Sequence, residues 1–175
     1  LARSGRPGPV WIDIPKNIQK MTLEFQFEPA PALHKKTLHR HAASAELEQI
    51  RHAIAKSQRP CIYAGGGIIS GGASEELTRF AETYNIPVAT SLMGIGAFPE
   101  THPLSLKYLG MHGTYYANYA ADQCDLLLAF GARFADRSTG NAKEFARDAF
   151  IIHIDIDESE INKNVHADIG IAADI

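Results

Sequence analysis

Arg133 and Arg137 are well suited by type and spacing to hold an anion. They stand four residues apart, soon after Gly131 and the apolar run Asp125–Phe130. A guanidinium donates paired hydrogen bonds to phosphate oxygens, so two arginines after a glycine turn could clamp a pyrophosphate. The alternative is an exposed loop in which both arginines pair with carboxylates, and the spacing is compatible with either.

A run of three glycines, Gly65-Gly66-Gly67, follows a predicted strand and leads towards a helix. Without side chains, the backbone can turn tightly there and its N–H groups can approach a phosphate or a ribose. The run is not Gly-x-Gly-x-x-Gly, and Glu75 and Glu76 in the first turn of the next predicted helix would repel a phosphate. A purely structural turn is therefore an open alternative.

Two further segments combine glycine with large apolar side chains: Ser91-Leu92-Met93-Gly94 and Leu109-Gly110-Met111-His112-Gly113. Exposed leucine and methionine beside glycine would make an apolar slot suited to a flat ring. If Met93 and Met111 are buried instead, they only fill gaps in the core.

Asp155 and Asp157 follow the apolar run that begins at Phe150. A carboxylate at the end of such a strand suits hydrogen bonds to ribose hydroxyls. A metal site would need further clustered oxygen ligands, which the sequence does not offer. It also offers no Ser/His/Asp or Cys/His set, so no catalytic residue is predicted.

Short β-type runs alternate with helical runs, which predicts an α/β fold with an open, mainly parallel sheet. Ligands of such sheets bind beyond the carboxyl ends of the strands, where the glycines, arginines and carboxylates stand. Strands are predicted at Val10–Ile14, Pro60–Ala64, Pro87–Thr90, Asp125–Phe130, Phe150–Ile156 and Ile169–Ala172. Helices are predicted at Ser44–Ser57, Leu77–Tyr84, Tyr115–Asp122 and Ala142–Ala146.

The stretch from Met21 to Ala43 has no clear period and contains Pro29 and Pro31, which predicts a linker. We therefore expect residues 1–43 to be a segment leaving an upstream domain plus a linker, and residues 44–175 to form the compact domain. The basic stretch from His34 to His41 is interpreted as part of this solvated linker.

The composition limits the function classes. A net charge of −3 and a pI near 6.2 give no basic face for nucleic acid, and no apolar run approaches the ~18 residues of a membrane span. Cys61 and Cys124 lie in apolar runs, so we expect core thiols of a protein in the reducing cytoplasm.

Several segments in one order resemble the catalytic subunit of acetolactate synthase, a thiamine-diphosphate-dependent family. Ser4–Val10 with Asp13–Lys16 resembles the exit from that family's first domain. The resemblance to its central domain is carried by Ala64–Gly67, Leu92–Gly94, Leu109–Thr114, Tyr116–Tyr119, Asp125–Gly131 and His153–Asp157.

The resemblance implies a Rossmann-like central domain that binds FAD, with helices on both faces of the sheet. It implies that the parent enzyme condenses pyruvate with a second 2-oxo acid in branched-chain amino-acid biosynthesis. Thiamine diphosphate and Mg²⁺ would be bound by flanking domains of a homodimer or tetramer, with a regulatory subunit as a further expected partner. The implied FAD contacts are Arg6, Gly66, Ser91, Leu92, Met93, Leu109, Gly110, Met111, His112, Gly131, Arg133, Arg137, Asp155, Ile156 and Asp174.

One position departs from the family pattern: Ala135 stands where the family usually has aspartate, and Ala132 replaces a valine. The resemblance leaves two alternatives open. The chain could belong to another thiamine-diphosphate carboligase, decarboxylase or oxidase, or it could be a spacer domain that binds no nucleotide. In each case we expect the fragment alone to be inactive.

Overall fold

The computed structural model describes residue 2, residues 6–24, residue 26 and residues 41–175. The chain divides into two units, Leu1–Leu38 and His39–Ile175. Most of the predicted linker, including the basic stretch as far as residue 40, lies outside the described residues.

The first unit contains one short helix, α1 (Lys16–Gln19), among its described residues. The strand predicted at Val10–Ile14 is wrong: this segment has no strand pairing, and Trp11 and Ile12 are 90% and 78% exposed. Branched apolar residues favour an extended backbone, but a strand also needs a neighbour for its N–H and C=O groups. The described residues of this unit supply no such neighbour.

The second unit is built on a six-stranded sheet in which every neighbouring pair is parallel. The spatial order is β3-β2-β1-β4-β5-β6, so the direction of winding reverses between β1 and β4. The predicted α/β fold with an open parallel sheet is confirmed. The strands are β1 (Pro60–Ala64), β2 (Val88–Thr90), β3 (Ser105–Tyr108), β4 (Leu126–Phe130), β5 (Phe150–Asp155) and β6 (Ile169–Ala172).

Five helices accompany this sheet: α2 (Ser44–Lys56), α3 (Gly66–Gly71), α4 (Ser74–Tyr84), α5 (Tyr115–Gln123) and α6 (Asp136–Thr139). The helix predicted at Ala142–Ala146 is wrong, because this segment forms turns. Asn141 Oδ1 accepts the Lys143 N–H at 3.2 Å, and Ala146 has φ +45°, outside the helical region.

Successive residues of each strand enter two separate cores. In β1, Ile62 and Ala64 join the core that receives α2, α3 and α4. Cys61 and Tyr63 point into the opposite core, which receives α5. Helices therefore cover both faces, as the sequence predicts, and each face is apolar because each is buried.

Outer strand β3 carries an irregularity. Ser105 pairs with Val88 and Lys107 with Ala89, so Leu106 is an extra residue on β3. Lys107 is exposed and has φ +61°. This strand was not predicted, because Ser-Leu-Lys-Tyr lacks the β-branched residues and clean alternation that mark a strand.

Both cysteines are buried free thiols, as predicted. Burial raises the pKa of Cys124 to about 12 and raises that of Cys61 as well, with the neighbouring Cys124 adding to the rise. Neither thiol is a reactive nucleophile in the folded chain.

Candidate functional site

The segments that follow the strands are joined to one another along a single edge of the sheet. Backbone N–H groups just past the strand ends donate to carbonyl oxygens at the end of a neighbouring strand, at 2.8–3.0 Å. This is the edge at which ligands of open parallel sheets bind. The bonds are Gly65 to Phe130, Ser91 to Ala64, Leu109 to Thr90, Gly131 to Ile154 and Ala173 to Asp155.

The glycine loops after β1 and β4 touch where the winding reverses. A Cβ on Gly67 would lie 2.6 Å from the Gly131 Cα. The Gly67 N–H donates to the Gly131 carbonyl at 3.1 Å, and the Ile68 N–H donates to the Gly65 carbonyl at 3.3 Å. The N–H groups of Gly65 and Gly67, two of those that the sequence suggested for a phosphate, are therefore used within the protein.

Exposed apolar side chains follow β2 and β3 at this edge. Leu92, Met93 and Met111 are together called the slot below. Leu92 is 62% exposed and Met93 67%, and a Cβ on Gly66 would lie 3.0 Å from the Met93 Cβ. The turn that carries them begins at Ser91, whose Oγ accepts the Gly94 N–H at 3.1 Å. The alternative that Met93 fills a gap in the core is therefore wrong.

Met111 is also 63% exposed, so neither methionine is a core residue. Its N–H donates to the Arg137 carbonyl at 2.8 Å, and Arg137 Nη1 lies 3.8 Å from Met111 Sδ. The loop after β3 is therefore attached to α6 through both backbone and side chain, and this contact brings one predicted cation to the slot.

Gly110 permits this attachment. Its φ is +127°, and a Cβ would lie 2.9 Å from the Ser138 Cα. Asn118 fixes the same residue from α5, because its Oδ1 accepts the Gly110 N–H at 3.1 Å and its Nδ2 donates to the Gly110 carbonyl at 3.0 Å. Asn118 was not predicted as part of the site, although a polar residue within a helix otherwise rich in alanine and tyrosine was a usable signal.

Not every predicted residue offers a side chain to the slot. Leu109 is only 1% exposed and packs in the core, so only its backbone is available for a ligand. His112 is exposed on the loop that carries Met111.

Arg133 is exposed on the segment that follows β4. Its carbonyl accepts a hydrogen bond from Asn164 Nδ2 at 3.0 Å. Burial raises the pKa of the Tyr63 hydroxyl, and Arg133 is one of the groups that partly oppose this rise. Among the described residues, neither Arg133 nor Arg137 forms an ion pair with a carboxylate, so the alternative of carboxylate-paired arginines lacks support.

The predicted acidic residues lie farther along the edge, at the ends of β5 and β6. Asp155 is 6% exposed and its Oδ1 accepts the Asp157 N–H at 2.9 Å, while Ile156 is half-buried. Asp174 is exposed, and a Cβ on Gly71 at the end of α3 would lie 3.7 Å from its Oδ1. Arg6 belongs to the first unit, where it is exposed.

Two cavities formed by the described residues do not coincide with the slot. One of about 610 Å³ lies beside the start of α4, where Glu75 and Glu100 oppose Arg79, which is paired with Glu76 at 2.9 Å. This excess of carboxylates disfavours a phosphate. A second cavity, of about 270 Å³, has Leu109, Asn118 and Ser138 among its lining residues. Neither cavity is lined by Leu92, Met93, Met111 or Arg137.

His153 was not predicted as notable, although a histidine within an apolar strand was visible in the sequence. Its side chain is fully buried on β5, and neither ring nitrogen has a hydrogen-bond partner among the described residues. The ring packs edge-on against Phe134 at 5.0 Å. Burial lowers the pKa of the imidazole, and the charge of Asp155 only partly opposes this.

Within the described ranges, no three or more His, Cys, Asp or Glu side chains cluster in a way that could hold a metal ion. The described helices also include none with the length and apolar character needed to cross a membrane.

Comparison with known proteins gives consistent matches. The sequence model of the family described as "Thiamine pyrophosphate enzyme, central domain" matches residues 47–175. The chain is 52% identical to a probable acetolactate synthase large subunit of Methanocaldococcus jannaschii, over 99% of the chain and 30% of that relative. It is 51% identical to acetolactate synthase 2, chloroplastic, of Zea mays, over 100% of the chain and 27% of the relative.

The acetolactate synthase large subunit of Buchnera aphidicola is 47% identical, over 99% of the chain and 31% of the relative. The chain thus spans less than a third of the length of these curated relatives.

Proposed function

Because the chain belongs to the thiamine pyrophosphate enzyme family as a central domain, we propose that it is the FAD-holding module of an acetolactate synthase. The relatives named above support the choice of enzyme, and the open sheet edge supports the choice of ligand. In the parent enzyme, the flavin would have no redox role in the condensation of pyruvate with a second 2-oxo acid.

One observation carries the choice of FAD. Met111 is exposed beside the Arg137 guanidinium, on the sheet edge that also exposes Leu92 and Met93. A flavin needs an apolar surface for its ring system, and its dinucleotide needs a cation for its pyrophosphate. The edge offers both.

We propose Arg137 and Arg133 as cations for the pyrophosphate, with Arg137 as the main partner because its guanidinium lies beside Met111. Leu109 and Gly110 would contribute backbone atoms and Asp155 a carboxylate for the ribose. The remaining proposed contacts are Arg6, Gly66, Ser91, Leu92, Met93, Met111, His112, Gly131, Ile156 and Asp174.

The chemistry of the parent enzyme is proposed to need its flanking domains. The activating glutamate and the Gly-Asp-Gly segment expected for thiamine diphosphate and Mg²⁺ are not found in this sequence. The 175-residue chain should therefore form no acetolactate from pyruvate when both cofactors are added. A homodimer or tetramer, a regulatory subunit and a cytoplasmic location stay predictions, and the Zea mays relative is named chloroplastic.

Two alternatives have specific tests. A spacer domain is favoured by the Gly67 and Ile68 N–H groups, which already have partners within the protein. Another carboligase, decarboxylase or oxidase would keep the same flavin site, because substrate choice lies mostly outside this domain. The complete reading frame around the chain would distinguish that alternative.

Fluorescence and absorbance titrations of the purified chain with FAD, ADP and riboflavin test the proposal. We expect FAD to bind more tightly than ADP or riboflavin, because it engages both the slot and Arg137. Saturable binding of FAD supports the flavin module. A chain that is folded by circular dichroism yet binds none of the three would contradict it and favour the spacer.

A further inference from the structure

The chain contains three methionines, and each is more than half exposed: Met21, Met93 and Met111 are 54%, 67% and 63% exposed. An exposed thioether is open to oxidation by a peroxide, whereas a buried one is shielded. Met93 and Met111 belong to the slot, and Met21 belongs to the first unit. The chain therefore holds two candidates for oxidation at the slot and a third exposed methionine in the other unit.

Only Met111 has a cation on its sulfur among the described residues. Arg137 Nη1 lies 3.8 Å from its Sδ, and the Met111 N–H is bonded to the Arg137 carbonyl at 2.8 Å. The backbone bond keeps the two residues together whatever the state of the sulfur. A thioether is a weak acceptor, so it holds the guanidinium loosely.

Oxidation of the Met111 thioether to a sulfoxide would give the guanidinium a stronger acceptor. In the oxidation, the sulfur lone pair attacks one oxygen of hydrogen peroxide, the O–O bond breaks, an S–O bond forms and water leaves. The sulfur is oxidised by two electrons and the peroxide is reduced. The new oxygen is a strong acceptor, so it can take a charge-assisted hydrogen bond from the guanidinium beside it.

We propose that Met111 is a redox-sensitive modification site: its sulfoxide captures Arg137 and thereby weakens binding of the dinucleotide. This inference rests on the proposed FAD site. It makes ligand affinity depend on the oxidation state of one side chain, in a direction that methionine sulfoxide reductases can reverse. A bound flavin covering the slot would shield Met111 from peroxide.

The test uses the full 175-residue chain, oxidised with hydrogen peroxide and then freed of it with catalase. Mass spectrometry of proteolytic peptides gives the extent of oxidation at each methionine, with and without FAD. FAD affinity is measured before oxidation, after it, and after treatment with both methionine sulfoxide reductases. We expect a loss of about tenfold or more, the change that follows from losing one charge-assisted hydrogen bond, and its recovery after reduction.

Three variants identify the responsible residue. M111L should show no loss of FAD affinity on oxidation, measured against its own untreated affinity. M93L and M21L should show the same loss of FAD affinity as the unsubstituted chain. The buried thiols of Cys61 and Cys124 should stay unoxidised, because burial raises their pKa. The thermal midpoint should not change, because the Met111 side chain is exposed.

The outcomes separate this inference from the function on which it rests. An untreated chain that does not bind FAD contradicts the flavin site and this inference with it. An untreated chain that binds FAD, and binds it equally well once Met111 is a sulfoxide, contradicts this inference alone. An equal loss in M111L and M93L assigns the effect to another residue and overturns it as well.

Discussion

Gly131 and Gly67 meet backbone to backbone at the carboxyl ends of β4 and β1. A Cβ on Gly131 would lie 2.5 Å from the Gly67 Cα, and the Gly67 N–H donates to the Gly131 carbonyl at 3.1 Å. Gly131 also has φ +55°, where L-residues are strained. Both the conformation and the close approach therefore require glycine, and they fix the loops that border the slot.

The first prediction follows from that contact. G131A should lower the free energy of unfolding by about 1–2 kcal/mol for the left-handed conformation and by a further ~1–3 kcal/mol for the clash. G72A is the matched control, because Gly72 has φ +71° but no atom within 4 Å of its Cβ position. Urea unfolding of both variants measures the difference. Equal losses of unfolding free energy in the two variants would mean that the loops after β1 and β4 do not touch.

The second prediction concerns the anion partner. R137A should weaken FAD binding by about 1.5–3 kcal/mol, or ~10- to 100-fold, and R133A should weaken it less. Riboflavin lacks the pyrophosphate, so R137A should change its affinity little. R51A is the control, because Arg51 is exposed on α2 and pairs with Glu48 at 3.1 Å. If R79A weakens FAD binding more than R137A does, the ligand occupies the cavity beside α4 instead.

The third prediction concerns Ala135, the N-cap of α6, which has no side chain able to cap the helix. Aspartate, the usual residue of the family here, accepts N–H groups of the first turn and favours the helix dipole. A135D should raise the free energy of unfolding by about 0.5–2 kcal/mol, and A135N should give most of the same gain. A135V should give none. A135D without a gain in urea unfolding would assign another role to the family aspartate.

The fourth prediction concerns pH. Burial lowers the pKa of His153 below its ordinary 6.5, so at mildly acidic pH the unfolded chain binds a proton that the folded chain does not. Stability should therefore fall as the pH drops below 6.5, with a slope of at most about 1.4 kcal/mol per pH unit for this group. Urea unfolding between pH 7 and 5.5 measures the slope.

Nuclear magnetic resonance of the wild-type imidazole provides the direct check on His153. In the folded protein its ring should protonate only at a pH below the ordinary 6.5. A ring that protonates at or above pH 6.5 would contradict the assignment. If H153L folds, the slope of stability against pH should be flatter in this variant, since it has lost the titrating group.

Periodicity and strand-end chemistry allowed much of this structure to be predicted. Pro60–Ala64 and Ile169–Ala172 were predicted to the residue, because apolar runs ended by polar or glycine residues mark buried parallel strands well. The exposure of Met93 and Met111 was only one of two alternatives, since a side chain beside glycine can point either way.

The two wrong secondary-structure predictions also have physical causes. Val10–Ile14 has the composition of a strand but no pairing partner among the described residues, and Ala142–Ala146 has the composition of a helix but a residue with φ +45°. Pairing and backbone conformation depend on tertiary contacts, which composition does not report.

The extra residue on β3 has a consequence for contacts between molecules. β3 is an outer strand of the sheet, and an outer strand with regular backbone spacing is a template onto which a strand of another chain can add. The bulge at Leu106 breaks that spacing, and the exposed charge of Lys107 repels a second copy of the same edge. The domain therefore carries built-in protection against edge-to-edge aggregation on this side.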